Sequence, residues 1–230
     1  MAVEYGTGRI VTNGLVLSLD AADRNSYPGS GTTWRDTSGN GRNYTLVGSP
    51  TFNSTNGGSI LFGSNQYSNG PASNSFGISQ NVTIEIVIRI NSLLSGTNTQ
   101  WGFFFDGVSV NRGISCHINE GPGTTYFDTM GFNTDNGNRI SATAPSNGTI
   151  NHFVFRYRDT TTPRKNIFRN GSSIANSGAN TPTSLNLSSA ANEVGISMDG
   201  NIYLFRIYNT DLSDAQILQN YNATKSRFGL

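Results

Sequence analysis

Apolar residues recur along this chain at every second position, in short runs separated by Gly, Asn, Asp and Ser. That period marks half-buried strands. The longest run is 82–90, with Val82, Ile84, Ile86, Ile88 and Ile90 on one face and Thr83, Glu85, Val87 and Arg89 on the other. It predicts an antiparallel core strand with a polar outer face, on which Glu85 is solvated. Shorter runs predict strands over 15–20, 44–47, 59–62, 101–105, 113–118, 125–132, 151–158, 166–169, 172–175 and 192–196. Asn170-Gly171 is the strongest hairpin turn among them. A last run over 202–208 sends Ile202, Leu204, Arg206 and Tyr208 one way and Tyr203, Phe205 and Ile207 the other. After it, Ser213 and Gln216 have capping-box spacing. Asp214 near the start and Lys225 and Arg227 near the end suit the helix dipole. Ala215, Ile217, Leu218 and Tyr221 form the apolar stripe of one short helix. Many strands, one terminal helix and no βαβ rhythm predict an all-β, antiparallel sandwich. The expected division is an arm over 1–13, one domain over 14–224 and a tail over 225–230.

Composition narrows the partners. Of 230 residues only 13% are charged, 27 are Gly, and the net charge is +1. Few charges among many Asn, Ser, Thr and Gly suit polar sheet faces and tight turns. Without a Lys/Arg cluster to neutralise phosphates, nucleic acid is not an expected partner. Arg156, Arg158, Arg164, Lys165 and Arg169 come closest, and are expected on the solvent face of a hairpin. The single Cys116 allows no intramolecular disulfide and is expected to be a buried thiol. The first residues contain no basic-then-apolar signal segment, and no window reaches the ~18 apolar residues of a membrane helix. These features predict synthesis in a cytosol and no membrane partner.

The loop from Trp34 to Leu46 (Trp-Arg-Asp-Thr-Ser-Gly-Asn-Gly-Arg-Asn-Tyr-Thr-Leu) resembles the W-x-D-x-S-G-N-G-x-x-G-x-L signature of laminin-G-like, concanavalin A-like jelly-roll domains. The stretch 195–221 is similar to that family's closing strand and helix. The two motifs bracket most of the chain and imply a jelly-roll β-sandwich. Tyr44 departs from the family pattern, which has Gly there. A second, narrower resemblance joins the segment from Gly14 to Trp34 with the ending from Asn220 to Leu230. Together they look like stand-alone structural proteins of tailed bacteriophages of marine and cyanobacterial hosts. That resemblance implies a virion component, made in the host bacterial cytoplasm. Its partners would be the major capsid protein or other virion proteins, together with further copies of itself.

Glucanases of this fold carry alternating carboxylates on one strand, so that an acid and a nucleophile or base flank the scissile bond. Here Val87 stands where the second carboxylate after Glu85 belongs, and Ile90 or Ile88 where the third would. The two histidines, His117 and His152, have no metal-ligand spacing. No catalytic residue is assigned, and the chain is expected not to be an enzyme. Asp36, Asn40 and Asp199 are candidate oxygen donors for a calcium ion, the alternative being turn-forming side chains. Tyr27, Trp34, Trp101 and Tyr126 are candidate aromatic platforms for a glycan, the alternative for Trp34 being a ring plugged beneath its loop. Ile10, Val11 and Phe228 are candidate attachment residues on the arm and tail. The expected function is a capsid decoration protein on the particle surface. The alternative is a carbohydrate-binding module of a tail or fibre that recognises host glycans, and a glycosidase is a third.

Overall fold

The computed structural model describes residues 8–92, 101–105, 113–120, 124–128, 139–177, 185, 187–196 and 198–230. Its strands, in chain order, are β1 (Leu15–Asp20), β2 (Thr33–Trp34), β3 (Tyr44–Val47), β4 (Thr51–Asn53), β5 (Ser59–Phe62), β6 (Tyr67–Ala72), β7 (Asn81–Ile90), β8 (Trp101–Phe105), β9 (Ile114–Glu120), β10 (Thr124–Asp128), β11 (Ile140–Thr143), β12 (Ile150–Arg158), β13 (Lys165–Arg169), β14 (Ser172–Asn176), β15 (Ala191–Val194) and β16 (Gly200–Tyr208), followed by helix α1 (Asp214–Phe228). All strand pairs are antiparallel. One sheet runs β14-β13-β12-β7-β16-β5-β4, with β1 also pairing β16. The other runs β11-β10-β9-β8-β15-β6-β3-β2.

The main core lies between the sheets. Ile84, Ile86 and Ile88 of β7, Phe153 and Phe155 of β12, and Phe205 and Ile207 of β16 meet Trp34, Tyr44, Ile114, Cys116 and Val194 of the second sheet. Interiors packed this way are sensitive to changes in side-chain volume. Tyr44, the departure from the family pattern, fills space that a side chain at Gly70 would occupy. Its hydroxyl donates to Asn192 Oδ1, and the Asn192 amide donates to Pro71 O at 2.7 Å. Asn170-Gly171 forms the β13–β14 turn with both residues at positive φ, 51° and 79°, as a type I′ turn requires.

Three expectations about outer faces change. First, β16 carries a bulge between Ile202 and Leu204. Ile202 therefore joins the inter-sheet core with Phe205 and Ile207, while Tyr203 packs outward with Leu204. Strict alternation cannot anticipate one extra residue. Second, α1 covers the outer face of β7, β12 and β16, so Glu85 is fully buried instead of solvated. Third, Arg156 and Lys165 are buried too, so the basic hairpin is not a solvent-facing stripe.

Helix α1 starts as its sequence predicts. Ser213 Oγ accepts from the Gln216 amide at 3.2 Å, and Gln216 Oε1 accepts from the Ser213 amide at 2.9 Å. It runs further than expected. The stretch 225–228 is helical, not a tail, and Gly229 at φ 69° closes it. Among the described residues, no helix is long and apolar enough to cross a membrane.

Candidate binding site

The long loop between β1 and β2 is tied down from inside. Ser26 Oγ donates to Arg35 O at 2.6 Å and accepts from the Asp20 amide at 3.0 Å. The Arg35 amide donates to Ser26 O at 2.7 Å. The Ser26 and Tyr27 amides both donate to Asp23 O, making a tight turn that aims Tyr27 inward. The Tyr27 hydroxyl then donates to Gly31 O at 2.9 Å, fixing the loop tip. Desolvation raises the Tyr27 phenol above its ordinary value, so it remains a neutral donor near pH 7.

The Tyr27 ring meets Phe52 of edge strand β4 at 5.9 Å between centroids, tilted by 50°. Phe52 also lies over Gly29, where a Cβ would stand 3.6 Å from the ring. Gly29 has φ 95°, a conformation that disfavours other residues. This aromatic pair separates two clefts that open to solvent. One, of about 220 Å³, is bounded by Arg24, Tyr27, Phe52, Ser54 and Gly57-Gly58. The other, of about 380 Å³, is bounded by Tyr27, the 29–32 backbone and 49–52. Aromatic faces with a few neutral polar groups are the lining of many small-molecule sites.

The remaining candidates lie elsewhere. Trp34 is fully buried in the core, as the plug alternative has it, and offers no platform to a ligand. Trp101 opens β8 and Tyr126 lies in β10, but their side chains lie outside the described residues. Asp36 acts as a loop clamp. Its Oδ1 accepts from the Ser18 and Ser38 amides at 3.0 and 2.8 Å, and its Oδ2 from Ser38 Oγ and the Arg42 amide at 2.8 and 3.0 Å. Arg42 completes the clamp by donating to Val16 O and Ser75 O over the Phe76 ring. Asn40 donates its amide to Ser38 Oγ at 2.9 Å. Asp199 instead accepts from Ser92, just before β16. Ser18 pairs with Arg206, six residues along β16 from Gly200, so Asp36 and Asp199 stand roughly 20 Å apart. The three donors do not form one calcium site. Among the described residues, no group of three or more His, Cys, Asp or Glu is placed to hold a metal ion.

The attachment residues are committed within the chain. The Val11 amide donates to Asn220 Oδ1 at 2.8 Å, and its carbonyl accepts from Tyr208 Oη at 3.1 Å. Val11 is buried with Leu212 and Ile217, and Ile10 beside it is half-buried. Phe228 is buried edge-on against Tyr203 at 5.4 Å. Val11 and Phe228 therefore help seal α1 onto the first sheet, and neither is free to clamp a neighbour. The arm's residues 1–7 lie outside the described residues.

The same seam holds a charge cluster that the sequence did not reveal. Glu85 Oε1 accepts from Arg206 Nη1 at 3.0 Å and lies 3.0 Å from His152 Nε2, while its Oε2 accepts from Asn220 Nδ2 at 2.9 Å. Tyr221 of α1 covers His152 at 5.6 Å between rings. Burial alone would raise the Glu85 carboxyl, but Arg206, His152 and Asn220 together bring it down from 4.5 to about 2. The spacing 85–152–206–220 is too long for any local motif to signal.

The Laminin_G_3 family model, described as the Concanavalin A-like lectin/glucanases superfamily, matches residues 62–218. The chain belongs to this superfamily. Several solved structures share the fold of this concanavalin A-like chain. Domain 4 of an extracellular arabinanase from Geobacillus stearothermophilus, in complex with arabinotriose, is 16% identical with a TM-score of 0.64, covering 90% of this chain and 98% of that one. The binding domain of Botulinum neurotoxin DC in complex with SialylT is 19% identical with a TM-score of 0.69, covering 92% of this chain and 52% of that one. Trypanosoma rangeli sialidase with the inhibitor DANA is 13% identical with a TM-score of 0.68, covering 99% of this chain and 36% of that one. The chain thus spans about half of the toxin domain and about a third of the sialidase. At these identities the likeness shows the fold alone. No curated protein sequence matches the chain.

Proposed function

We propose that this concanavalin A-like chain is a non-catalytic binding module, and that the groove at Tyr27 and Phe52 holds a saccharide. The observation that carries this reading is the half-buried Phe52 ring, backed by the buried Tyr27 ring, between two solvent-open clefts lined by glycines, Ser54 and Arg24. A ring face accepts the C–H face of a sugar, while nearby hydroxyls and backbone groups accept or donate at its rim. Two observations support a module without catalysis. Glu85 is buried and paired with Arg206 in its cluster, out of reach of any substrate. Glu193, whose carboxyl is pushed up by desolvation, pairs across strands with Asn69 and Phe104, so neither register partner supplies a second carboxylate.

The test is a glycan array followed by calorimetry, on the wild type and Phe52→Ala. The wild type should bind, and removing the ring should weaken binding by about tenfold. Equal binding by both proteins would remove the groove from the reading, and wild-type binding to no glycan would overturn it.

A second reading concerns where the module works. The 14–34 segment and the 220–230 ending resemble structural proteins of tailed phages, which favours a virion component that decorates the capsid through the major capsid protein. Weak contacts per copy suffice on a symmetric particle. Co-sedimentation of the purified protein with capsid shells supports this reading; failure to co-sediment, with glycan binding intact, favours a tail or fibre location.

A further inference from the structure

We propose that the Tyr27–Phe52 groove selects acidic saccharides, those carrying a carboxylate or a sulfate, and that Arg24 is the residue that reads the charge. This rests on the saccharide reading above and adds the ligand class. Arg24 is exposed at the rim of the smaller cleft, and it is the charged residue among those that line either cleft. Among the described residues it makes no hydrogen bond or ion pair.

The neighbouring carboxylates are already occupied. Asp20 receives both Arg227 nitrogens, at 2.5 and 2.6 Å, and also caps the Ala22 amide at 2.9 Å. Asp23 accepts from the Asn25 amide at 2.9 Å, inside its own turn. Gly57 also lines this cleft, and Arg227 lies behind it. A Cβ at Gly57 would stand 3.0 Å from Arg227 Cγ and 3.3 Å from its Nε. That wall therefore holds a guanidinium as well, although Asp20 balances it. The cleft thus presents one cation that makes no ion pair among the described residues, over a floor of aromatic rings and glycine. A guanidinium offers a planar fork that matches carboxylate and sulfate oxygens, and such charge-assisted bonds exceed neutral ones. A neutral sugar would gain the ring contact but leave this fork to water.

Calorimetry with lactose, sialyllactose and sulfated lactose tests the proposal on the full chain. Wild type should bind the two acidic ligands about tenfold more tightly than lactose. The difference should shrink in about 1 M NaCl, where screening acts over roughly 3 Å. Arg24→Gln, an exposed substitution, should bring all three to the lactose affinity. Tighter binding of sialyllactose only, or of sulfated lactose only, supports the proposal and identifies the acidic group. Equal affinities in the wild type, or a preference that survives Arg24→Gln, would overturn the selectivity while leaving the saccharide reading in place. Loss of lactose binding in Phe52→Ala reports on that reading separately. If the wild type binds none of the three ligands, the saccharide reading and the selectivity both fall.

Discussion

The chain enters β1 from the seam under α1 and leaves it to build the Tyr27–Phe52 groove, and these two regions treat polar groups in opposite ways. In the seam, Glu85, Asn220 and Tyr208 bond one another or the arm, sealed from water by Tyr221 and Phe228. In the groove, Arg24 and Ser54 face solvent beside two aromatic rings. The difference separates holding from binding. A polar group that is buried and bonded to its neighbours fixes the fold, and one left open beside a ring can engage a ligand.

The largest test breaks the seam. Glu85→Ala would strand Arg206 and His152 in the interior, and removing one partner of a buried pair costs about 3–5 kcal/mol. For a chain of this size that lowers the thermal midpoint by roughly 10 °C. Saccharide affinity, measured well below the midpoint, should not change. A midpoint like that of the wild type would show that the cluster does not hold α1 down.

The same carboxylate predicts an acid dependence. Its folded pKa, about 2, lies below its ordinary 4.5, so the ionised form is favoured by folding. The stabilisation is complete above about pH 4.5 and is lost as pH falls toward 2. Thermal melts over that window should show a falling midpoint, with a flatter profile in Glu85→Gln. Identical profiles would mean that other carboxylates govern acid unfolding.

These residues also mark how far the sequence could be read. Alternation in 82–90 and the Ser213–Gln216 capping box identified the sandwich and its closing helix, because both are local patterns. Alternation says which residues share a face but not what covers it, so Glu85 and Arg156 were expected in water. The cover is α1, which reaches β7 and β12 across more than fifty residues of chain. The groove was legible only in part. Tyr27 stood out within a long Gly-rich loop, but Phe52 and Arg24 gain meaning only when β4 is placed beside that loop. The bulge in β16 was invisible for a similar reason, since one inserted residue leaves no compositional mark.

A smaller effect extends the comparison to the second sheet. Tyr44 and Asn192 form a buried polar pair over Gly70, another engaged set. An Ala at position 70 would place its Cβ 2.6 Å from Asn192 Oδ1 and into the Tyr44 ring. Overpacking of this kind costs about 1–3 kcal/mol. Gly70→Ala should lower the midpoint without moving saccharide affinity. An unchanged midpoint would show that β6 shifts freely, and that this pair does not fix the sheet.

The smallest effect concerns the 35–43 loop, which has features of both regions: it is partly exposed, yet its carboxylate is engaged. Asp36 accepts four hydrogen bonds from its own chain, and these tie the loop together. Asp36→Asn replaces one accepting oxygen with a donor facing other donors, at a cost of about 1 kcal/mol in this part-exposed loop. A chelator should leave the wild-type midpoint where it is. A calcium-held loop behaves differently, because chelation lowers the wild-type midpoint to that of Asp36→Asn and leaves the variant unaffected. Melts of both proteins with and without chelator therefore separate the two arrangements. Convergence of the midpoints would move Asp36 from the engaged class to the open one, beside Arg24.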